Sequence, residues 1–384
     1  MSTITPFRCQ FTDKLIADVN RRLDQTRWPD QLDGAGWDYG TERGFLQQMC
    51  EHWRNRFDWR ASEERFNAHP QFLTQIDGEQ VHFYHARSPE PDAVPLIITH
   101  GYPGSVAEFL DIIGPLSNPV AHGGEAADAF HVVAPSIPGY GFSGPTRHKG
   151  FDIAAGGAIN VKLMEMLGYD RYIAQGGDWG SAISSNMAAR APDRVMALHL
   201  NFIVGIPPDP SDPLAGLNEK ERADQAWKAE YDRHEAGYQA IQGTKPQSLA
   251  YGLTDSPAGL AGWVVEKFKT WSDCGEDVTA SFSMDRLLDN IALYWMTRTI
   301  NSAMRLYYEG QGPNSKQGAL ARVSVPTGYA HFPAEIRPTP RLWAEQIYTN
   351  LVRWTEMPAG GHFAAFEQPQ AFVEELRAFA SSFR

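Results

Sequence analysis

The feature that most restricts the fold of this chain is a glycine-rich turn at residues 176–180, Gly-Gly-Asp-Trp-Gly. A short β-prone run precedes it at 172–175, and the sequence that follows, 181–190, reads as helix. Small residues two positions before and two positions after a reactive side chain permit a strand-to-helix turn that bulkier residues would prevent. Such a turn exposes its central side chain at the edge of a sheet. That side chain is Asp178.

An aspartate at the centre of this turn can act as a nucleophile without prior activation. A serine hydroxyl needs a base to remove its proton, whereas a carboxylate with a pKa of about 3.9 is already ionised at neutral pH. Asp178 can therefore attack carbon and form an ester, which leaves a histidine free to activate water afterwards. The alternative interpretation is a plain glycine-rich turn that ends in an N-capping aspartate.

Apolar strands alternate with helices on both sides of the turn. Strands are predicted at 95–99 and 130–135 before it and at 194–200 after it, with a helix at 151–167. This alternation is typical of a mostly parallel sheet with helices on both faces. The sequence therefore predicts an α/β fold.

The chain divides into three predicted blocks. Residues 1–92 form an N-terminal accessory domain of helices and a hairpin, which turns at Asp77-Gly78. The α/β core is predicted at 93–205 and 323–384, and a helical lid at 206–322 lies between its halves. We expect the lid to cover the strand ends, where pockets form in α/β folds.

Within the lid and the second half of the core, the pattern also predicts individual elements. Helices are predicted at 217–242, 257–271 and 284–309, strands at 323–329 and 353–357, and a closing helix at 369–383.

Composition restricts the possible partners. Aspartate and glutamate outnumber lysine and arginine by 46 to 34, and the net charge of −12 argues against nucleic acids and anionic membrane surfaces. The three cysteines, Cys9, Cys50 and Cys274, form no CxxC pair, which predicts neither a disulfide framework nor a metal site. The N-terminus shows no signal-peptide pattern, and no apolar stretch approaches the ~18 residues of a membrane span. We therefore expect a cytoplasmic protein that is not membrane-bound.

An ester on Asp178 must be cleaved, which requires a base and an acid that orients it. His362 and Glu335 both follow predicted strands, so both should lie at the same edge of the sheet as Asp178. The order nucleophile, acid, histidine is that of the α/β-hydrolase catalytic triad. Glu356 and Glu367 are alternatives for the acid.

Cleavage of an ester passes through an oxyanion, which two backbone N–H groups can stabilise. One should belong to Trp179, directly after the nucleophile. The other should come from the loop His-Gly-Tyr-Pro-Gly-Ser at 100–105, with Tyr102 as the donor. The alternative is a glycine- and proline-rich loop that binds nothing.

Four motifs together resemble the epoxide hydrolases of the microsomal type. They are His-Gly-Tyr-Pro at 100–103, Gly-Gly-Asp-Trp-Gly at 176–180, Phe-Pro-Ala-Glu at 332–335 and Gly-Gly-His-Phe-Ala-Ala-Phe-Glu at 360–367. The resemblance covers nearly the whole chain and includes the N-terminal block and the lid. It departs from the animal members in one respect, because their N-terminal membrane anchor is missing here, so the resemblance does not extend to a membrane location.

The resemblance implies an α/β-hydrolase fold and the conversion of epoxides to vicinal diols, without a cofactor or a metal. It implies an epoxide and water as the small-molecule partners, and detoxification as a role; a homodimer through the lid or the N-terminal block is also expected. It places two lid tyrosines that protonate the opened epoxide at Tyr238 and Tyr307. A tyrosine hydroxyl can do this while it remains neutral at pH 7. Tyr308 is the neighbouring alternative to Tyr307, but it points about 100° away on the same helix.

Two other functions remain open from the sequence. A haloalkane dehalogenase shares the aspartate nucleophile and the tryptophan after it, but halide leaves without a proton and favours N–H donors over hydroxyls. A catalytically silent, ligand-binding member of the same fold would need a broken catalytic set, and none of the expected residues is missing.

Overall fold

The computed structural model describes residues 3–313, 315 and 321–384. The few remaining residues of the predicted N-terminal block (1–2) and of the predicted lid (314 and 316–320) lie outside this description.

In the described part of the chain, nine strands form one sheet in the order β1-β2-β3-β5-β4-β6-β7-β8-β9. The strands are β1 Thr5–Phe7, β2 Gln71–Ile76, β3 Glu79–Ala86, β4 Val94–Thr99, β5 Phe130–Pro135, β6 Tyr172–Gly176, β7 Val195–Leu200, β8 Thr327–His331 and β9 Leu351–Glu356. Strands β1 to β3 pair antiparallel, β3 pairs antiparallel with β5, and β4 to β9 form a parallel array. The C-terminal ends of six parallel strands therefore meet along one edge.

Helices cover the sheet and its C-terminal edge. They are α1 Asp13–Asp24, α2 Arg43–Asn55, α3 Trp59–Phe66, α4 Leu110–Ser117, α5 Ile153–Met166, α6 Asp178–Arg190, α7 Glu219–His234, α8 Gly237–Thr244, α9 Pro246–Asp255, α10 Pro257–Thr270, α11 Met284–Thr297, α12 Ile300–Gly310, α13 Arg341–Ala344, α14 Ala364–Glu367 and α15 Pro369–Ala380. Helices α7 to α12 occupy the segment predicted as the lid. The mostly parallel sheet with helices confirms the predicted α/β class.

Two predicted lid helices are each divided in the structure. The helix predicted at 284–309 breaks at Arg298, which ends α11 in the left-handed conformation with φ +55°. The next residue, Thr299, accepts a hydrogen bond from the Gly141 N–H of the core, so a tertiary contact holds the break open. The helix predicted at 217–242 ends at His234, and α8 starts at Gly237, a residue that weakens helix interiors.

The strand predicted at 323–329 is also shorter than expected. Pro326 has no N–H to contribute to a ladder, and β8 begins only at Thr327. Val323 makes an isolated bridge to Tyr348 instead.

The N-terminal block is joined to both neighbouring blocks. Its strands β1 to β3 extend the antiparallel end of the main sheet. It also contacts the lid: Arg65 of α3 forms an ion pair with Asp289 of α11 at 2.7 Å, and Thr41, in the loop before α2, donates to the Gly262 carbonyl of α10 at 2.6 Å. The boundaries of the three predicted blocks, at residues 92, 205 and 322, remain a proposal.

Among the described residues, no helix combines the length and the apolar character needed to cross a bilayer.

Candidate active site

The turn after β6 holds Asp178 in an uncommon backbone conformation. Its φ is +47°, in the left-handed region that costs a non-glycine residue ~1–3 kcal/mol. The turn is tight: a Cβ atom on Gly180 would lie 1.9 Å from the Thr99 carbonyl oxygen, so only glycine fits there. The sharp turn expected from the motif is therefore present, and it lifts Asp178 above the strand ends.

The loop after β4 meets the Asp178 carboxylate. The Tyr102 N–H donates a hydrogen bond to Asp178 Oδ1 at 2.7 Å. A Cβ atom on Gly101 would lie 2.2 Å from the same oxygen, so glycine is required for this approach of the backbone. Trp179 lies in the first turn of α6, where backbone N–H groups have no acceptor within the helix. The Tyr102 N–H is thus hydrogen-bonded to the carboxylate, and the Trp179 N–H belongs to the residue that follows Asp178.

His362 links Asp178 to a buried glutamate. Its Nδ1 lies 2.8 Å from Glu335 Oε1, and its Nε2 lies 3.4 Å from Asp178 Oδ2. Glu335 and His362 are both buried from solvent, with exposures of 2% and 4%. The backbone N–H of His362 also donates to the carbonyl of Trp271, at the end of α10, at 2.9 Å. The structure therefore brings Asp178, His362 and Glu335 together in the order that the sequence predicts; their catalytic roles stay predictions.

Neighbouring charges decide the protonation of His362. Burial lowers the pKa of the imidazole, but the Glu335 carboxylate and then Asp178 outweigh burial, and the pKa is raised well above its ordinary value. Both carboxylates therefore favour the protonated form of His362.

The alternative acids lie elsewhere. Glu356 pairs with His331 at 2.8 Å, and its side chain is 62% exposed. Glu367 accepts hydrogen bonds from the backbone N–H groups of Asp273 and Phe363, and burial raises its pKa to about 7. Of the three glutamates considered from the sequence, Glu335 is the one that contacts His362.

The two predicted lid tyrosines lie together above the nucleophile. Tyr238 on α8 is 6% exposed and Tyr307 on α12 is 2% exposed, and their ring centroids are 5.7 Å apart. The Tyr307 ring packs edge-on against Trp179 at 4.8 Å. Burial raises the pKa of both tyrosines, and the charge of Asp178 adds to this rise. Tyr308 is only half-buried.

Comparison with known proteins identifies the family. Residues 4–109 match the family model described as epoxide hydrolase N terminus, and residues 94–237 match the alpha/beta hydrolase fold. Epoxide hydrolase 1 of Sus scrofa is 39% identical over 404 residues, which cover 98% of this chain and 88% of that protein. The chain belongs to the epoxide hydrolase family.

Two solved structures of epoxide hydrolases match this chain over its whole length. The juvenile hormone epoxide hydrolase of the silkworm Bombyx mori has a TM-score of 0.92 at 32% identity, with 100% of this chain and 95% of that chain covered. The Aspergillus niger epoxide hydrolase has a TM-score of 0.88 at 30% identity, with 100% and 97% covered. The α/β-hydrolase fold expected from the resemblance is confirmed.

One residue of this epoxide hydrolase that the sequence did not single out is Glu108. It is 9% exposed and borders a small cavity of about 20 Å³ on the core side of Asp178 and His362, a volume that can hold a single water molecule. Burial raises the pKa of Glu108 to about 8, His362 opposes this rise, and Asp178 adds to it. A glutamate inside the otherwise apolar segment Val106–Phe109 is the signal that sequence reading could have used.

The lid contributes three further residues whose contacts in the site the sequence did not predict. Trp263 Nε1 donates to the Tyr102 hydroxyl at 2.7 Å, and the Trp271 ring lies 5.0 Å from that of His362. Lys267, on the same helix as Trp263, is 5% exposed and lies over the ring of Tyr238. In the sequence, Lys267 is marked only as a lysine within a largely apolar helix, and no sequence spacing predicts that it contacts Tyr238.

A larger groove leads from the surface of the protein to Tyr238. It has a volume of about 720 Å³ and lies between the N-terminal block and helices α8 and α10. Its walls include Trp28 and Trp37 from the N-terminal block and Trp263 from the lid, and it reaches Tyr238. No group of three or more histidine, cysteine, aspartate or glutamate side chains in the described part of the chain is arranged to hold a metal ion.

Proposed function

We propose that this epoxide hydrolase converts epoxides to vicinal diols in two steps, through an ester on Asp178. The overall reaction comes with membership of the family; the assignment of residues to steps is our proposal. The observation that supports it most is the continuous contact from Glu335 through His362 to Asp178, beneath two buried tyrosines.

In the first step an oxygen of Asp178 attacks an epoxide carbon. The carbon–oxygen bond of the ring breaks, and the released alkoxide takes a proton from a lid tyrosine, Tyr238 or Tyr307. Oδ1 already accepts from Tyr102, so it suits the ester carbonyl, and Oδ2 supplies the attacking electron pair. The tyrosines are essential to this step because an alkoxide is a poor leaving group until it is protonated or hydrogen-bonded.

In the second step His362 takes a proton from water, and the hydroxide attacks the ester carbon of Asp178. The Tyr102 and Trp179 N–H groups stabilise the oxyanion, which collapses to release the diol as His362 returns its proton. The new carboxylic acid then gives its proton to His362, which restores the Asp178 carboxylate and the imidazolium. His362 can act as this base because the ester carries no charge. Without the Asp178 carboxylate the pKa of His362 falls, and the imidazolium first passes its proton to the tyrosine phenolate left by the first step. Glu335 keeps the ring oriented throughout.

We also propose that the substrates are bulky, apolar epoxides. The groove to Tyr238 is large enough for a drug-sized molecule, and its tryptophans Trp28, Trp37 and Trp263 offer apolar area. A panel of mono- and disubstituted epoxides, with chiral analysis of the diols, tests this proposal; preferred turnover of small polar epoxides would contradict it.

A turnover assay with styrene oxide and a bromoalkane of similar size separates the proposed function from its rivals. We expect diol from styrene oxide, no bromide release, and loss of turnover in D178N. One observation favours the dehalogenase: the indole N–H of Trp179 is buried and has no hydrogen-bond partner among the described residues. Bromide release at a comparable rate would establish that rival, and binding of styrene oxide without turnover would establish a silent binding protein.

We propose, finally, a cytoplasmic protein that forms a homodimer. All three cysteines are buried and unpaired, as suits a reducing compartment. Apolar side chains of the lid such as Ile241 and Tyr251, which are 43% and 71% exposed, offer a surface for a second copy. Light scattering after size-exclusion chromatography gives the mass; a monomer at micromolar concentration would contradict the dimer.

A further inference from the structure

The surroundings of the two lid tyrosines are unequal. Both side chains are buried, but the polar and charged groups gather around Tyr238. The Gln239 amide donates to the Tyr238 hydroxyl oxygen at 2.9 Å, and Arg337 in turn donates to the Gln239 carbonyl oxygen at 3.4 Å. A hydroxyl whose oxygen already accepts a hydrogen bond keeps its own proton available for another partner.

A buried cation lies over the same ring. The Lys267 ammonium is 4.8 Å from the Tyr238 ring centroid and 5.7 Å from that of Trp271. Two carboxylates share this cation, Glu266 at 2.6 Å and Glu235 at 3.9 Å. The Lys267 side chain is 6% exposed, so water screens its charge poorly.

Tyr307 has a different environment. Its ring packs against the aromatic rings of Trp179 at 4.8 Å and Tyr102 at 5.3 Å. None of the contacts between a cation and a ring in the described part of the chain involves Tyr307. Burial and the neighbouring charges of Tyr238 and Asp178 all raise the pKa of Tyr307. For Tyr238, burial and Asp178 raise the pKa, whereas Gln239, Arg337 and Tyr307 lower it.

We propose that Tyr238 gives its proton to the epoxide oxygen while Tyr307 donates a hydrogen bond and stays protonated. Lys267 and Gln239 are the positioning residues that make Tyr238 the stronger acid. This inference rests on the proposed function, because it divides the task that the two-step mechanism assigns to both tyrosines.

The physical reason is a difference between the ground state and the transition state. As Tyr238 loses its proton, negative charge spreads over the phenolate ring that Lys267 covers. A cation interacts more strongly with a charged ring than with the quadrupole of a neutral ring. Lys267 therefore stabilises the transition state more than the bound substrate, and such differential stabilisation raises the rate of the step.

The test measures ester formation in single turnovers, by rapid quench and mass analysis of the Asp178 peptide. We expect Y238F to slow ester formation by ~10²- to 10³-fold, and Y307F by only ~10-fold, the loss of one hydrogen bond. K267M should slow it by ~10-fold, whereas K267R keeps the charge and most of the rate. K269M is the matched control, because Lys269 on the same helix is not buried and its ammonium donates to the Gly275 carbonyl at 2.8 Å. Q239L supplies the same test if K267M does not fold.

A second readout distinguishes acidity from structural damage. A trifluoromethyl epoxide releases a more stable alkoxide, which needs less protonation, so the effect of K267M should shrink on this substrate. A fluorinated tyrosine at position 238, whose phenol is more acidic, should restore the rate of K267M, and at position 307 it should not. Equal losses in Y238F and Y307F, or equal rates in K267M and K269M, would overturn the inference. Absence of any ester on Asp178 in the parent enzyme would instead refute the proposed function.

Discussion

The nucleophile side of the active site is held by backbone geometry, whereas the lid side is held by side-chain packing. Asp178 owes its position to a turn with φ +47° and to the Tyr102 N–H, which reaches it because residue 101 is glycine. Tyr238 and Tyr307 instead stand on separate helices, α8 and α12, and meet through their rings. Local turns are specified by a few adjacent residues, and packing between helices is specified by many distant ones. We therefore expect a small substitution in the nucleophile turn to lower activity more than a small substitution at an exposed position of the lid.

The largest effect should come from His362 on the nucleophile side. H362Q removes the base for the second step but leaves Asp178 able to attack, so turnover should fall by ~10³-fold. Mass analysis of the intact protein should show an accumulated adduct of enzyme and epoxide. Turnover that falls without an adduct would mean that His362 acts in the first step as well.

A change of one methyl group at Gly101 should have the next largest effect. The added Cβ of G101A would lie 2.2 Å from Asp178 Oδ1, so the carboxylate or the loop must move. A displacement of this size can lower a rate by ~10²-fold. Steady-state kinetics measure the loss, and an unchanged kcat would show that the backbone does not fix the nucleophile.

The charge of Asp178 should be visible in the titration of His362. Asp178 favours the imidazolium, so D178N should lower the pKa of His362 from its raised value in the parent. NMR titration of the ring nitrogens measures both proteins, with D170N as a control because the Asp170 side chain is 98% exposed. An unchanged or raised pKa would contradict the contact between the two residues.

The smallest effect should come from a glycine of the lid. A Cβ on Gly252, an exposed residue inside α9, meets no atom within 4 Å. G252A should leave kcat unchanged and raise the free energy of unfolding by ~0.5–1 kcal/mol, because alanine favours helix over glycine. Chemical denaturation tests this expectation. A large loss of activity would show that the lid is as sensitive to small substitutions as the nucleophile turn.

The same difference explains what the sequence could predict. The turn at Asp178, the loop at Tyr102 and the order of Glu335 and His362 follow from short motifs placed after strands, and the structure brings these four residues together. Glu335 could not be separated from its rivals by sequence, since only the folded contact with His362 distinguishes it.

The lid was less accessible to sequence analysis. The break at Arg298 depends on the contact of Thr299 with a core loop, and the ring of Tyr238 meets Lys267 only after α8 and α10 pack. The tyrosines themselves were located through a family resemblance, because nothing in their local sequence marks them as proton donors.

The central claim, an ester on Asp178, is tested most directly by a single turnover in water enriched in oxygen-18. With enzyme in excess over epoxide, the account predicts that the heavy oxygen enters the Asp178 carboxylate and that the first diol carries none. Mass analysis of the peptide that contains Asp178 and of the diol reads both outcomes. Label in the first diol, with none in the peptide, would mean that water opens the epoxide directly and would contradict the account.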